Sequence, residues 1–168
     1  MKTLSLIQIP LFVLCSTFFH LAQAATLSGI DPCGLIAPEA VYAAFPVLKT
    51  MEKQTIGSNT TCSYLDKFGI SALMVSVHRD KGISARAMME NMGEGYMVQD
   101  VAELGDEAAM AVSKEIPQYN IPGGMVAELF IKKGGSTLLL APVRIEVKAD
   151  GSSFEKFKKM AMNMLDKL

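Results

Sequence analysis

The stretch MVAELFIKKGGSTLLLAPVRIEV, Met125–Val147, decides the fold. Two runs rich in β-branched and large apolar residues are joined by Gly134-Gly135, a dipeptide that suits a tight hairpin turn. An earlier stretch, CSYLDKFGISALMVSVH (Cys62–His78), repeats the device, with Lys67–Gly69 as the turn. Working outward, strands are expected at about Met51–Gly57, Thr61–Asp66, Ile70–His78 and Ala109–Ser113. The segment Tyr96–Gly105 is read as an irregular link, and KEIPQYNIPGG as a loop of turn formers.

Helices fill the gaps between these hairpins. APEAVYAAFP reads as a short helix, with Pro38 in its first turn and Pro46 as its stop. In GISARAMMENMG, Ala85, Met88, Met89 and Met92 share a face, Ser84 is a suitable cap, and Gly93 ends the run. After KADG comes a final amphipathic helix, for which Ser152 and Glu155 suit a capping box; Phe154, Phe157, Ala161, Met164, Leu165 and Leu168 form its apolar stripe. Both halves then read as strands followed by a Met-rich helix. The expected fold is α+β: an antiparallel sheet built from two pseudo-repeated βββα halves, an extra N-terminal helix, and the helices on one face.

The chain opens MKTLSLIQIPLFVLCSTFFHLAQAA. One early lysine, an apolar run broken by Gln8, Ser16, Thr17 and His20, and the small-x-small site Ala22-Gln23-Ala24 match a secretory signal peptide. Residues 1–24 are therefore expected to be a signal peptide, and 25–168 a single domain without a further membrane span. The net charge is −1, and no basic patch marks a nucleic-acid partner. Cleavage leaves Cys33 and Cys62, which in an oxidising compartment pair most simply as a disulfide. A catalytic thiol would need a base, and the mature chain offers only His78. A metal site would need more ligands than these three residues supply.

DPCGLIAPEAV, then Cys62-Ser63-Tyr64, then LGDEAAMAV, then a hairpin and an amphipathic C-terminal helix, together resemble a group of small bacterial envelope proteins of unknown function, many of them lipoproteins. The matching positions are Asp31, Pro32, Cys33, Leu35, Cys62, Tyr64, Gly105, Asp106, Glu107 and Ala108. The resemblance implies a bond between Cys33 and Cys62 that ties the first helix to the sheet, and it brings no catalytic residues. The leader departs from the group's pattern: Cys15 follows Leu14 rather than a small residue. A soluble periplasmic or secreted form is therefore implied.

Four features could carry chemistry. LGDEA puts two carboxylates beside Gly105, too few ligands for calcium, so a turn leading into a strand is the expected role. MAMNM (Met160–Met164) and MMENM (Met88–Met92) look like Cu(I) thioether motifs. On a helix, however, Met160 and Met162 point about 160° apart, while Met88, Met89 and Met92 are needed for packing. His78 stands alone at a strand end. The fourth feature is a sheet face. Alternation assigns Leu73, Val75, Val77, Leu129, Ile131, Leu139 and Val143 to the core. The opposite face then holds Met74, Ser76, His78, Glu128, Phe130, Lys132, Leu138 and Leu140, a mixture that suits an apolar binding surface with a polar rim. The expected function is non-catalytic binding of an envelope protein or a small apolar ligand, with no cofactor and no metal. A small enzyme with an unmotifed site and a structural accessory of an envelope complex are the alternatives.

Overall fold

The computed structural model describes residues 30–56, 59–119 and 122–168. The expected signal peptide and its cleavage site lie outside them. A single 3-10 turn, Pro32–Gly34, precedes helix α1 (Pro38–Ala44). Strands β1 (Leu48–Ile56), β2 (Asn59–Asp66) and β3 (Ser71–Arg79) follow, then helix α2 (Ala85–Glu90). The rest of the chain forms β4 (Tyr96–Asp100), β5 (Glu107–Ser113), β6 (Val126–Lys133), β7 (Ser136–Ala141) and helix α3 (Ser152–Leu165). All seven strands form one antiparallel sheet, in the order β1-β2-β3-β7-β6-β5-β4. The mixed α+β architecture is as the pattern of runs suggests.

The helices do not share one face. α1 and α3 bury Val41, Phe45, Phe157, Met160, Ala161 and Met164 against Tyr64, Leu73, Val75, Leu129, Ile131, Leu138 and Leu140. α2 buries Ala85 and Met89 against Ala109, Ala111 and Phe130, with Leu139 and Val98 packed beside them. Leu129 and Phe130 are neighbours on one strand, so these two clusters lie on opposite sides of the sheet. The physical reason is supply of apolar surface: Phe130, Leu139 and two alanines make a second apolar area that water would otherwise cover.

The halves are also unequal, with three strands before α2 and four after it. Tyr96–Asp100 is not an irregular link but an edge strand paired with β5, Val98 opposite Ala111. Its alternation was readable: Tyr96 and Val98 pack toward α2, while Met97 and Gln99 face solvent. The expected capping box is absent as well. Gly151, not Ser152, is the N-cap of α3 and has no side chain to cap with; Ser153 Oγ accepts from the Lys148 amide at 2.9 Å instead.

A further correction concerns β7. Lys133 pairs with Ser136 across the two-residue Gly134-Gly135 turn, which sets Ile131 opposite Leu138 and Phe130 opposite Leu139. Leu138 and Leu140 therefore belong to the main core, fully buried, and Leu139 faces α2. The sequence assignment had this strand's two faces exchanged, since one residue of slip inverts every side chain. Val143 is not core either. β7 ends at Ala141, and Val143 lies 57% exposed in the following loop, where Ile145 and Val147 turn in instead.

Cys33 is bonded to Cys62 across 29 residues, fastening the 3-10 turn to β2. Asp31 secures the same corner: its carboxylate accepts from the Cys33 amide at 3.0 Å and from Lys53 Nζ at 2.9 Å. Inside, Phe45 meets Phe157 edge-on at 6.2 Å, and Tyr42 meets Tyr64 edge-on at 6.4 Å. The Tyr64 hydroxyl is buried without a hydrogen-bond partner among the described residues, and burial pushes its pKa up to about 12.

Candidate functional site

Among the described residues, the sheet face under α2 is only half covered. α2 spans β4, β5 and β6, and a groove of about 290 Å³ remains along its edge, above β3 and β7. Phe130 and Leu139, opposite each other on β6 and β7, make its apolar floor, and Met88 of α2 makes its wall. Asn59, His78 and Thr137 stand at one end and Glu128 at the other. Ile83, in the connection from β3 to α2, is 41% exposed at the rim.

Of the residues expected to form a binding surface, His78, Glu128 and Phe130 do line this groove. Met74 shares their face but lies outside it, 37% exposed. Leu138 and Leu140 are on the other face, as described above. Lys132 is on the expected face but is committed to structure. Its ammonium lies 3.1 Å from Asp80 Oδ2, 3.7 Å from Glu107 Oε2 and 3.1 Å from the Ile83 carbonyl, which it donates to. It stitches the β3–α2 connection to the sheet. Leu139, Met88 and Asn59 are groove residues that alternation alone missed. The signal that would have found Leu139 is the length of the glycine turn.

His78 Nε2 lies 3.1 Å from Ser76 Oγ, and the Thr137 hydroxyl donates to the His78 carbonyl at 3.3 Å. Burial, then the nearby Lys81 charge, holds the imidazole below its ordinary pKa. At the other end Glu128 makes no hydrogen bond or ion pair among the described residues, and burial raises its pKa. His78 and Glu128 do not form an acid–base pair. Glu128 lies next to Leu129, which is opposite Leu140, and His78 is opposite Thr137; ladder spacing over two strands and four residues puts their backbones roughly 15 Å apart. The groove can therefore hold a short apolar body between two separate polar ends.

Gly105, Asp106 and Glu107 of LGDEA each have a structural task. Gly105 has φ +67, and a Cβ there would collide with the Lys132 carbonyl oxygen. The Asp106 amide donates to that same oxygen at 2.8 Å, and its carboxylate accepts from the Gly134 amide at 2.8 Å, holding the β6–β7 turn. Glu107 Oε1 accepts from the Ala85 amide at 2.7 Å, capping α2 together with Ser84 Oγ, which accepts from Ala87. The motif clamps the second hairpin and seats α2 over the groove.

Among the described residues, no group of three or more His, Cys, Asp or Glu side chains could hold a metal ion. Met160 is buried and Met162 is 47% exposed, on opposite sides of α3. Among the described residues no helix is long and apolar enough to cross a membrane. No protein-family model matches the sequence, and no curated protein or solved structure matches it significantly.

Proposed function

We propose that the chain is a non-catalytic bacterial envelope protein, periplasmic or secreted, that holds a small and mostly apolar ligand in the groove beside α2. The observation that carries this reading is the groove itself: an apolar floor of Phe130 and Leu139, walled by Met88, with unpaired Glu128 at one end. Its volume of about 290 Å³ is at the small end of the range for ligand pockets. Binding of a protein partner is less well supported, because α2 already covers the apolar half of this face. A ligand with a hydrogen-bond donor or amine at one end would satisfy Glu128, whose desolvation is otherwise uncompensated.

The test uses N-phenyl-1-naphthylamine, a neutral apolar fluorophore with one N–H. Its emission should rise on addition of the protein and saturate. Leu139→Glu and Met88→Glu, both at half-buried positions, should weaken saturation at least about tenfold while far-UV circular dichroism stays native. Met97→Glu, on the exposed side of β4, should bind as the parent does. Saturable binding that survives both groove substitutions would refute the assignment.

A further inference from the structure

The β2–β3 end of the sheet has a character not used by the groove. Phe68 is 73% exposed there, Ile70 45%, Val143 57% and Val47 49%. Three links bring them together. Asp66 and Ile70 close the turn, the Asp66 amide donating to the Ile70 carbonyl at 2.9 Å. Leu48, next to Val47, pairs with Asp66. The Arg144 amide donates to the Ala72 carbonyl at 3.0 Å, which holds Val143 beside the start of β3.

The turn is fixed rather than merely exposed. Asp66 Oδ1 accepts from the Phe68 amide at 2.8 Å and the Ile70 amide at 3.1 Å, and the Gly69 amide donates to the Asp66 carbonyl at 3.0 Å. One oxygen of the Asp66 carboxylate is thereby held within its own turn. Two cations lie near it. Lys67 Nζ lies 4.8 Å from the centre of the Phe68 ring, and both Lys67 and Arg144 act on the Asp66 charge. Lys67 and Arg144 thus place two cations at this tip, beside Asp66 and with exposed Glu146 two residues beyond Arg144.

We propose that this tip docks the protein on an anionic phospholipid surface, with Phe68 inserted among the acyl chains and Lys67 and Arg144 at the phosphates. An exposed aromatic ring flanked by cations is the chemistry such an interface selects: the ring gains by leaving water, and each cation gains from the negative surface potential. Lys67 can keep its ammonium at headgroup level while its stem follows the ring inward. The prearranged turn means that little conformational freedom is lost on docking.

The experiment is sedimentation of the protein, as recovered from its host with the disulfide formed, with vesicles of equal parts phosphatidylglycerol and phosphatidylcholine, and with vesicles of phosphatidylcholine alone. The protein should partition to the anionic vesicles and much less to the neutral ones, and added salt should release it. Phe68→Ser should weaken partitioning about tenfold or more, as expected for losing one inserted aromatic side chain. Lys67→Gln with Arg144→Gln should remove the preference for anionic vesicles. Ile56→Ser, at the opposite end of β1 and 79% exposed, should leave partitioning unchanged. The proposal is overturned if the parent protein sediments with neither vesicle, if Phe68→Ser binds as the parent does, or if Ile56→Ser matches Phe68→Ser. Recovery of an envelope protein on this tip without vesicle binding would overturn it too.

Discussion

Replacing Gly105 by alanine tests whether LGDEA is a clamp. The backbone there has φ +67, and a new Cβ would strike the Lys132 carbonyl oxygen and lie 2.7 Å from Ile131 Cγ2. Left-handed backbone costs an alanine about 1–2 kcal/mol. The collision adds to that, because Lys132 cannot retreat: it lies within β6, paired with Glu107 on one side and Thr137 on the other. Relief requires breaking the Asp106–Lys132 backbone bond of 2.8 Å, which leaves a carbonyl short of its partner at about 1–3 kcal/mol. The sum is about 2–5 kcal/mol, enough to lower Tm by roughly 10 °C. Gly134→Ala is the reference. Its φ is +57 with nothing within 4 Å of the added carbon, so it should cost only the backbone share of about 1–2 kcal/mol. Urea unfolding followed by far-UV circular dichroism measures both; the chain has no tryptophan to follow instead. If the two variants lose the same stability, the close approach imposes nothing and the clamp argument fails.

Three further outcomes follow from the geometry. Cys33→Ser with Cys62→Ser frees a loop of 29 residues and should cost roughly 3.5 kcal/mol by the chain-entropy argument; denaturant titration showing under 1 kcal/mol would count against it. Leu138→Ala should cost about 3 kcal/mol and Leu139→Ala only about 1, because Leu138 is fully buried in the main core and Leu139 half-buried beside the groove; the reverse order would mean that β7 has the other parity. Glu128 has its folded-state pKa raised by burial, so the folded form holds its proton more tightly than the unfolded chain does. Its effect on stability is therefore unfavourable once pH rises above the ordinary carboxylate range. Glu128→Gln should raise Tm at pH 7 and lose that advantage at pH 4, and an advantage independent of pH would point to packing instead.

The α+β class, the first helix and the β2–β3 and β6–β7 hairpins were legible because each rests on local signals: turn residues at short spacing, alternation, and prolines at the ends of α1. What was not legible depends on contacts between distant elements. Nothing near Ala85–Met92 says which side of the sheet that helix takes. The choice is made by Phe130, Leu139, Ala109 and Ala111 far along the chain, and by Lys132 holding the connection down. The exchange of faces in β7 is different, because the signal was present. A two-residue turn makes the paired positions sum to a constant, so Phe130 must meet Leu139. Applied to Gly134-Gly135, that arithmetic would have moved Leu138 and Leu140 into the core and left Met74, His78, Glu128, Phe130 and Lys132, with Leu139 added, as the candidate site. Lys132 was misread for a simpler reason: alternation gives the side of the sheet, not the partners waiting there.

Among the described residues the seven-stranded sheet does not close on itself and has two open borders, and each invites another chain to add a strand. On one border β1 carries Lys49, Glu52 and Lys53 on a strand exposed at every position but Leu48, with a register shift between Leu48 and Thr50. A newcomer would meet a charged, kinked ladder. On the other border β4 is only five residues long, and Asp100 at its end is held by Arg86 at 2.7 Å. Neither margin offers the long, flat, uncharged template from which fibrils grow. The molecule should stay dispersed at concentrations where a sheet of this width with bare margins would stack.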